Sequence, residues 1–190
     1  MAIDIRRTFR TLYGAAPEAV VRSPYRVCPL GAHVDHQYGQ VSAFALENAL
    51  KLALRPRTDG RVQLRSSDFA GLVTFDLANP GAAPKGWGAY VYGAAYVLGE
   101  KLRVGLDGLV QGELPVGGLS SSAALSTAAL SALAHVNGIE LEPQALIQAA
   151  HRIEREVIGL KSGLLDQSAN VLSRRGYLLW LDCLTRAHRL

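Results

Sequence analysis

The chain reads as an α+β domain. Strand-forming segments crowd its first half, helical periodicity dominates its second half, and no repeat, low-complexity tract or linker divides it. A doubly wound fold would instead alternate strands and helices throughout.

In chain order, Ile3 to Tyr13 forms a short helix stopped by Gly14. Val20 to Val27 is rich in strand formers but interrupted by Pro24, and Gly31 to Gln40 is polar and turn-like. Val41 to Arg55 reads as a buried strand. Arg61 to Arg65 and Leu72 to Leu77 alternate with period two, which predicts a β pair joined by Ser66 to Gly71. Trp87 to Arg103 carries Tyr90, Val91, Ala94, Ala95, Val97 and Leu98 at helical spacing, and Gly108 to Leu114 is a strand. The Ala/Leu-rich stretch to His135 is a helix closed by Asn137-Gly138. Glu142 to Ile158 is another helix, with Pro143 in its first turn, and Leu164 to Leu172 is the next. Tyr177 to Leu181 is the last strand.

The 190 residues suffice for one domain with a real core, and 49% hydrophobic with 19% charged residues is a globular balance rather than a disordered one. The net charge of +4 is scattered; its densest cluster, Arg152, Arg155 and Lys161, is interrupted by Glu154 and Glu156. That argues for a solvated surface and against a nucleic-acid partner. Cys28 and Cys183 form neither a disulfide framework nor a zinc motif, and read as two buried free thiols of a cytoplasmic protein. Met1 to Arg10 holds Asp4, Arg6, Arg7 and Arg10 and no apolar core, so no signal peptide is expected. No run has the length of a membrane span, so no membrane partner is expected either. The oligomeric state is not legible.

The chemistry concentrates in Pro115-Val116-Gly117-Gly118-Leu119-Ser120-Ser121-Ser122-Ala123. A strand enters this loop and a helix leaves it. Two glycines let backbone N–H groups approach an anion, and the helix start adds unpaired N–H groups and its positive dipole end. Three hydroxyls follow, one of which can ligate a hard cation. The lysine of a Walker A loop is absent, as is a GxGxxG turn. The plain alternative is a glycine turn followed by an over-supplied N-cap.

The order of residues in this loop resembles the second signature of the GHMP kinases, in a form one residue shorter than the usual galactokinase loop. Arg26-Val27-Cys28-Pro29-Leu30-Gly31-Ala32-His33-Val34-Asp35-His36 resembles the galactokinase signature, and Gly163-Leu164-Leu165-Asp166-Gln167 resembles its G-I-M-D-Q, followed by the strand from Tyr177 to Cys183. The resemblance implies the GHMP kinase N-terminal domain, of the ribosomal protein S5 domain 2-like fold, with a mixed sheet packed against helices. It implies a sugar kinase with ATP and Mg2+ as cofactors and a small sugar as partner. Pro115, Gly117, Gly118, Leu119, Ser120, Ser121, Ser122 and Ala123 would hold the nucleotide. Ser122 and Glu154 would ligate Mg2+; Glu154 precedes Asp166 by twelve residues, as the family's magnesium carboxylate does. Arg26 and Asp166 would be the catalytic pair, with Asp166 against the sugar hydroxyl and Arg26 offsetting charge on the transferred phosphoryl group. Ala32, His33, Asp35, His36 and Gly163 would line the sugar site. Without the resemblance, Glu154 reads rather as a surface ion-pair residue of a charged helix, Asp166 can be read as a helix N-terminal carboxylate, and Arg26 as a surface strand residue. His33 and His36 also have a metal-pair spacing, but in a turn with no third ligand.

Two departures stand out. The galactokinase signature has Glu where this chain has Ala32, and that Glu meets the C6 hydroxyl of the sugar. Two carboxylates about 4 Å apart repel by about 4 kcal/mol at an effective dielectric near 20, enough to exclude a sugar acid. Ala32 removes that penalty, and His36, where the family has Tyr, can pair with an anion. Lys161 is a weaker candidate for the same task. The string from Pro24 to Gln37, with Leu165-Asp166-Gln167-Ser168-Ala169, resembles the galacturonokinase branch known from plants. This implies a D-galacturonate 1-kinase, with a galactokinase and a non-catalytic sugar and ATP sensor as alternatives. The family also has a C-terminal domain with a third glycine-rich signature; none precedes Leu190, so residues 1–190 are expected to carry the N-terminal domain alone and to be inactive in isolation.

Overall fold

A computed structural model describes residues 4–115 and 117–190; the expected helix start at Ile3 and the loop residue Val116 lie outside the described residues. Helix α1 (Ile5–Tyr13) starts where Asp4 Oδ1 accepts from Arg6 N at 3.0 Å. It stops at Gly14, whose left-handed φ of 72° lets its N–H reach Arg10 O.

The sheet is organised by one long strand, β2 (Gln40–Arg57). Along one edge runs β1 (Ala19–Leu30), antiparallel. The other edge is shared: β5 (Gly105–Gly112) pairs with Leu50 to Arg57, and β6 (Leu179–Asp182) with Gln40 to Ala43. Beyond β5 lie β3 (Arg61–Ser66), parallel to it, and β4 (Val73–Asp76), antiparallel to β3 as the alternating sequence predicts. The short β7 (His188–Arg189) closes the far side on β6. The β3–β5 crossover makes the sheet mixed.

Helices α2 (Gly88–Leu98), α3 (Ser121–Val136), α4 (Pro143–Arg152) and α5 (Leu165–Leu172) cover one face. Leu50, Leu52 and Leu54 point into that layer, while Ala53 points the other way, against Ile5 and Phe9 of α1. This is the period of two along a strand buried on both faces. Helix α3 is buried nearly all round, and its alanines let it sit between the sheet and the flanking helices.

The structure changes several sequence expectations. Pro24 does not interrupt its strand: β1 runs through it with a register shift between Pro24 and Arg26, on an edge that tolerates a missing N–H. The helix expected over Glu142 to Ile158 is α-helical only to Arg152; Ile153–Ile158 widens into a π turn. The helix from Trp87 ends at Leu98, with a 3₁₀ turn to Lys101. The strand expected over Gly108 to Leu114 begins three residues earlier and ends at Gly112, and that expected over Tyr177 to Leu181 is Leu179–Asp182. The expected pair of buried thiols is half right: Cys183 is buried, whereas Cys28 is only half-buried, because its strand lies at the sheet edge. Burial raises both thiol pKa values, that of Cys183 to about 11.

Asp107 is a buried carboxylate in mid-sheet, answered by Arg55 Nη2 at 2.7 Å and Arg57 Nη1 at 2.8 Å. Asp107→Ala leaves two guanidiniums facing an apolar gap, and is expected to lower stability by about 2 kcal/mol in urea unfolding.

Candidate active site

Arg26 and Asp166 come together from 140 residues apart. Asp166 stands in the first turn of α5, and Arg26 follows the β1 bulge that turns it toward the helix layer. Arg26 Nε donates to Asp166 Oδ1 at 2.7 Å, and Nη2 lies 2.6 Å from the same oxygen. Its Nη1 donates to Gly118 O at 3.0 Å, and its backbone N to Leu119 O at 3.3 Å. Ser120 Oγ donates to Asp166 Oδ2 at 2.7 Å. Neither Arg26 nor Asp166 is therefore a bland surface residue: their side chains are 15% and 27% exposed.

The three serines do not act alike. Successive residues at a helix start point about 100° apart, so three hydroxyls cannot face one ligand. Ser120 is buried in the left-handed conformation at φ 63°, a non-glycine strain of about 1 kcal/mol, and makes no side-chain cap. Ser121 Oγ is buried with no hydrogen-bond partner. Ser122 lies beside the Tyr90 phenol on the wall of one cavity.

Glu154 is 4% exposed, which removes the surface ion-pair reading. It continues the buried face of α4, i+4 from Ala150, at the start of the π turn. Gly159 (φ 80°) closes that turn by bonding Glu154 O, and Leu160 N bonds the same oxygen at 2.8 Å. Ser162 Oγ donates to Glu154 Oε2 at 2.5 Å. Burial pushes the Glu154 pKa up, opposed by the Ser162 hydrogen bond and raised further by Asp166. The Tyr90 phenol lies in the field of Glu154 and against Ser122, so the two expected cation ligands share a neighbourhood. Gln167 is fully buried beside Glu154, and its amide opposes the burial that raises the carboxyl pKa. A buried carboxylate with a hydroxyl nearby suits a hard divalent cation.

The sugar-site candidates sit in the β1–β2 connection and the loop before α5. Asp35 is pressed against Gly163: a Cβ there would lie 2.5 Å from the Asp35 carbonyl carbon and carboxylate, so the glycine is required. Asp35 Oδ1 accepts from His36 N at 2.8 Å, with His36 Nδ1 3.6 Å away. Ala32 and His33 are exposed, as is Lys161. Pro115, Gly117 and Gly118 are exposed loop residues, Leu119 is half-buried and Ala123 is fully buried beneath the loop. Among the described residues, no three His, Cys, Asp or Glu side chains gather into a metal site.

Sequence reasoning missed an apolar cavity of about 240 Å3 beside the loop, lined by Tyr25, Phe69, Trp87, Tyr90, Ser121 and Ser122 among others. Its aromatics come from three segments far apart in sequence, so no local motif announces them. Tyr25 is buried, and its hydroxyl would lie 2.8 Å from a Cβ at Gly112, where β5 enters the loop. Asp68 Oδ2 accepts from Gly112 N at 2.8 Å. A larger cavity, about 650 Å3 near Asp59, Tyr92 and Arg103, holds none of the site residues.

Comparisons with known proteins agree with this geometry. Residues 7–56 match the profile of the galactokinase galactose-binding signature, and residues 89–174 that of the GHMP kinases N terminal domain. A galacturonokinase from Arabidopsis thaliana is 41% identical over 90% of the chain and 46% of its own length. A galactokinase from Roseiflexus sp. is 32% identical over 98% of the chain and 48% of its own length. Lactococcus lactis galactokinase complexed with galactose superposes with a TM-score of 0.89 at 29% identity, over 97% of this chain and 50% of that one. Methanococcus jannaschii mevalonate kinase, at TM-score 0.72 and 15% identity, shares the fold. The chain spans about half the length of the curated relatives it matches. Among the described residues, no helix is long and apolar enough to cross a membrane.

Because burial raises the Glu154 pKa, the folded protein holds that proton to higher pH than the unfolded chain does. Stability from this group is full below about pH 4.3, where the free side chain is protonated, and is lost as pH rises through the folded value. Without divalent cation, Glu154→Gln is expected to raise the denaturation midpoint at pH 7 and to leave it unchanged at pH 4.

Proposed function

The chain belongs to the GHMP kinases by its N-terminal domain, and from that premise we propose that the protein transfers the γ-phosphoryl group of ATP to the anomeric hydroxyl of a hexose, D-galacturonate in preference to D-galactose. The observation that carries this reading is the Arg26–Asp166 pair locked to the glycine–serine loop.

The aromatic cavity beside the loop has the size and stacking surfaces for a nucleobase, and leads to Ser121 and Ser122. Backbone N–H groups at the start of α3 would face the phosphates. Glu154 and the Ser122 hydroxyl would hold Mg2+, which when bound neutralises charge on the β- and γ-phosphates. Asp35, His33 and His36 receive sugar hydroxyls at the mouth of the β1–β2 turn.

Asp166 Oδ1 carries two Arg26 bonds, so Oδ2 has the remaining acceptor capacity. That oxygen accepts the hydrogen bond of the anomeric hydroxyl and aims its oxygen at the γ-phosphorus. As the new P–O bond forms, the bond from phosphorus to the β–γ bridging oxygen breaks, the hydroxyl proton passes to Asp166 Oδ2, and ADP leaves. Arg26 offsets the negative charge concentrated there.

Two observations support the sugar acid. Ala32 puts no carboxylate at the corner where the galactokinase signature has Glu, and the Arabidopsis relative is named a galacturonokinase. The galactokinases at 32% to 37% identity support D-galactose as the second reading.

ADP release by the full-length protein, with the two sugars side by side, tests the choice. D-Galacturonate is expected to be preferred at least tenfold in kcat/KM, and Ala32→Glu to reverse the order. Preference for D-galactose would establish the second reading. Turnover of neither, with ATP still bound, would indicate a sensor.

A further inference from the structure

We infer that Ser120 is a positioning residue for Asp166 rather than a ligand of the nucleotide phosphates. The inference rests on the reading of Asp166 as the group that meets the sugar hydroxyl, and it sets Ser120 apart from the two serines that follow.

Three observations lead to it. The Ser120 hydroxyl is already engaged, donating to Asp166 Oδ2 at 2.7 Å across 46 residues of sequence. Its side chain is buried, and its backbone takes φ 63° and ψ 45°, the left-handed region that a serine adopts only when its surroundings hold it there. Its two predecessors are tied to the same pair, Gly118 O and Leu119 O both accepting from Arg26. Three consecutive loop residues are thus fixed to the Arg26–Asp166 pair. The neighbouring Ser121 hydroxyl, by contrast, is buried without a partner.

The consequence is mechanical. Asp166 can rotate about its side-chain torsions, and Arg26 grips only Oδ1. Ser120 fixes the other oxygen, so the lone pair left on Oδ2 points in one direction. The loop that receives the nucleotide thereby sets the aim of the carboxylate that receives the sugar. A misaim of this kind lowers turnover while leaving nucleotide affinity intact.

Two substitutions separate this role from a structural one. Ser120→Ala removes the hydroxyl and keeps the backbone strain. Ser120→Gly removes the hydroxyl and relieves the strain, since glycine favours positive φ. In the full-length protein both are expected to lower kcat by about tenfold to a hundredfold, with KM for ATP within about twofold of wild type. Wild-type kcat in Ser120→Gly would overturn the inference, as would a loss confined to KM for ATP. Asp166→Ala is the control on the underlying reading: if it still turns over sugar at the wild-type rate, that reading fails with the inference; if it is inactive while Ser120→Gly is not, only the inference fails. A double-mutant cycle of Ser120→Ala with Asp166→Asn, read as chemical unfolding midpoints, needs no sugar. Non-additive losses are expected, and additive losses would overturn the inference.

Discussion

The ion pair between Arg26 and Asp166 is the contact on which the rest of the site depends. It joins the sheet edge to the start of α5, and through Gly118, Leu119 and Ser120 it also holds the loop between β5 and α3. Both oxygens of one carboxylate are satisfied by groups from two other segments. Such a network is rigid because losing any member leaves a polar group without a partner in a poorly solvated place. Phosphoryl transfer asks for this kind of rigidity, since its acceleration comes from placement and fixed charge.

The fold delivers these segments to one place. The long β2 carries β1 on one edge and both β5 and β6 on the other, so the end of β5 and the strand that follows α5 converge on the same side. The bulge after Pro24 reverses the facing of Arg26, which regular alternation would have sent away from the helices. Glu154 continues the buried stripe of Ile147, Ala150 and Ile153 at regular helical spacing, just as α4 gives way to the π turn.

On the proposed reading, the side that would meet the sugar is held less tightly than the side that would meet the phosphates. Asp35 is fixed by Gly163 and by its own turn, whereas Ala32, His33 and His36 lie exposed at the mouth. Selectivity in such a corner turns on single charges, because a carboxylate partly removed from water repels another by more than a hydrogen bond contributes.

The sequence by itself determined the α+β class, the order of strands and helices, the glycine–serine loop and the pairing of Arg26 with Asp166, the last through resemblance of short motifs. These are legible because glycine runs, helix starts and hydrophobic periods are local. It left open whether Glu154 was a surface or a site residue, and it treated Ser120, Ser121 and Ser122 as one cradle. Only the tertiary structure divided the three serines, buried Glu154 and gathered Tyr25, Phe69, Trp87 and Tyr90 around one cavity. The reason is physical. A hydroxyl's partner and a carboxylate's burial are set by what other segments bring to them, and a bulge changes the facing of a side chain without changing the pattern that announces its element.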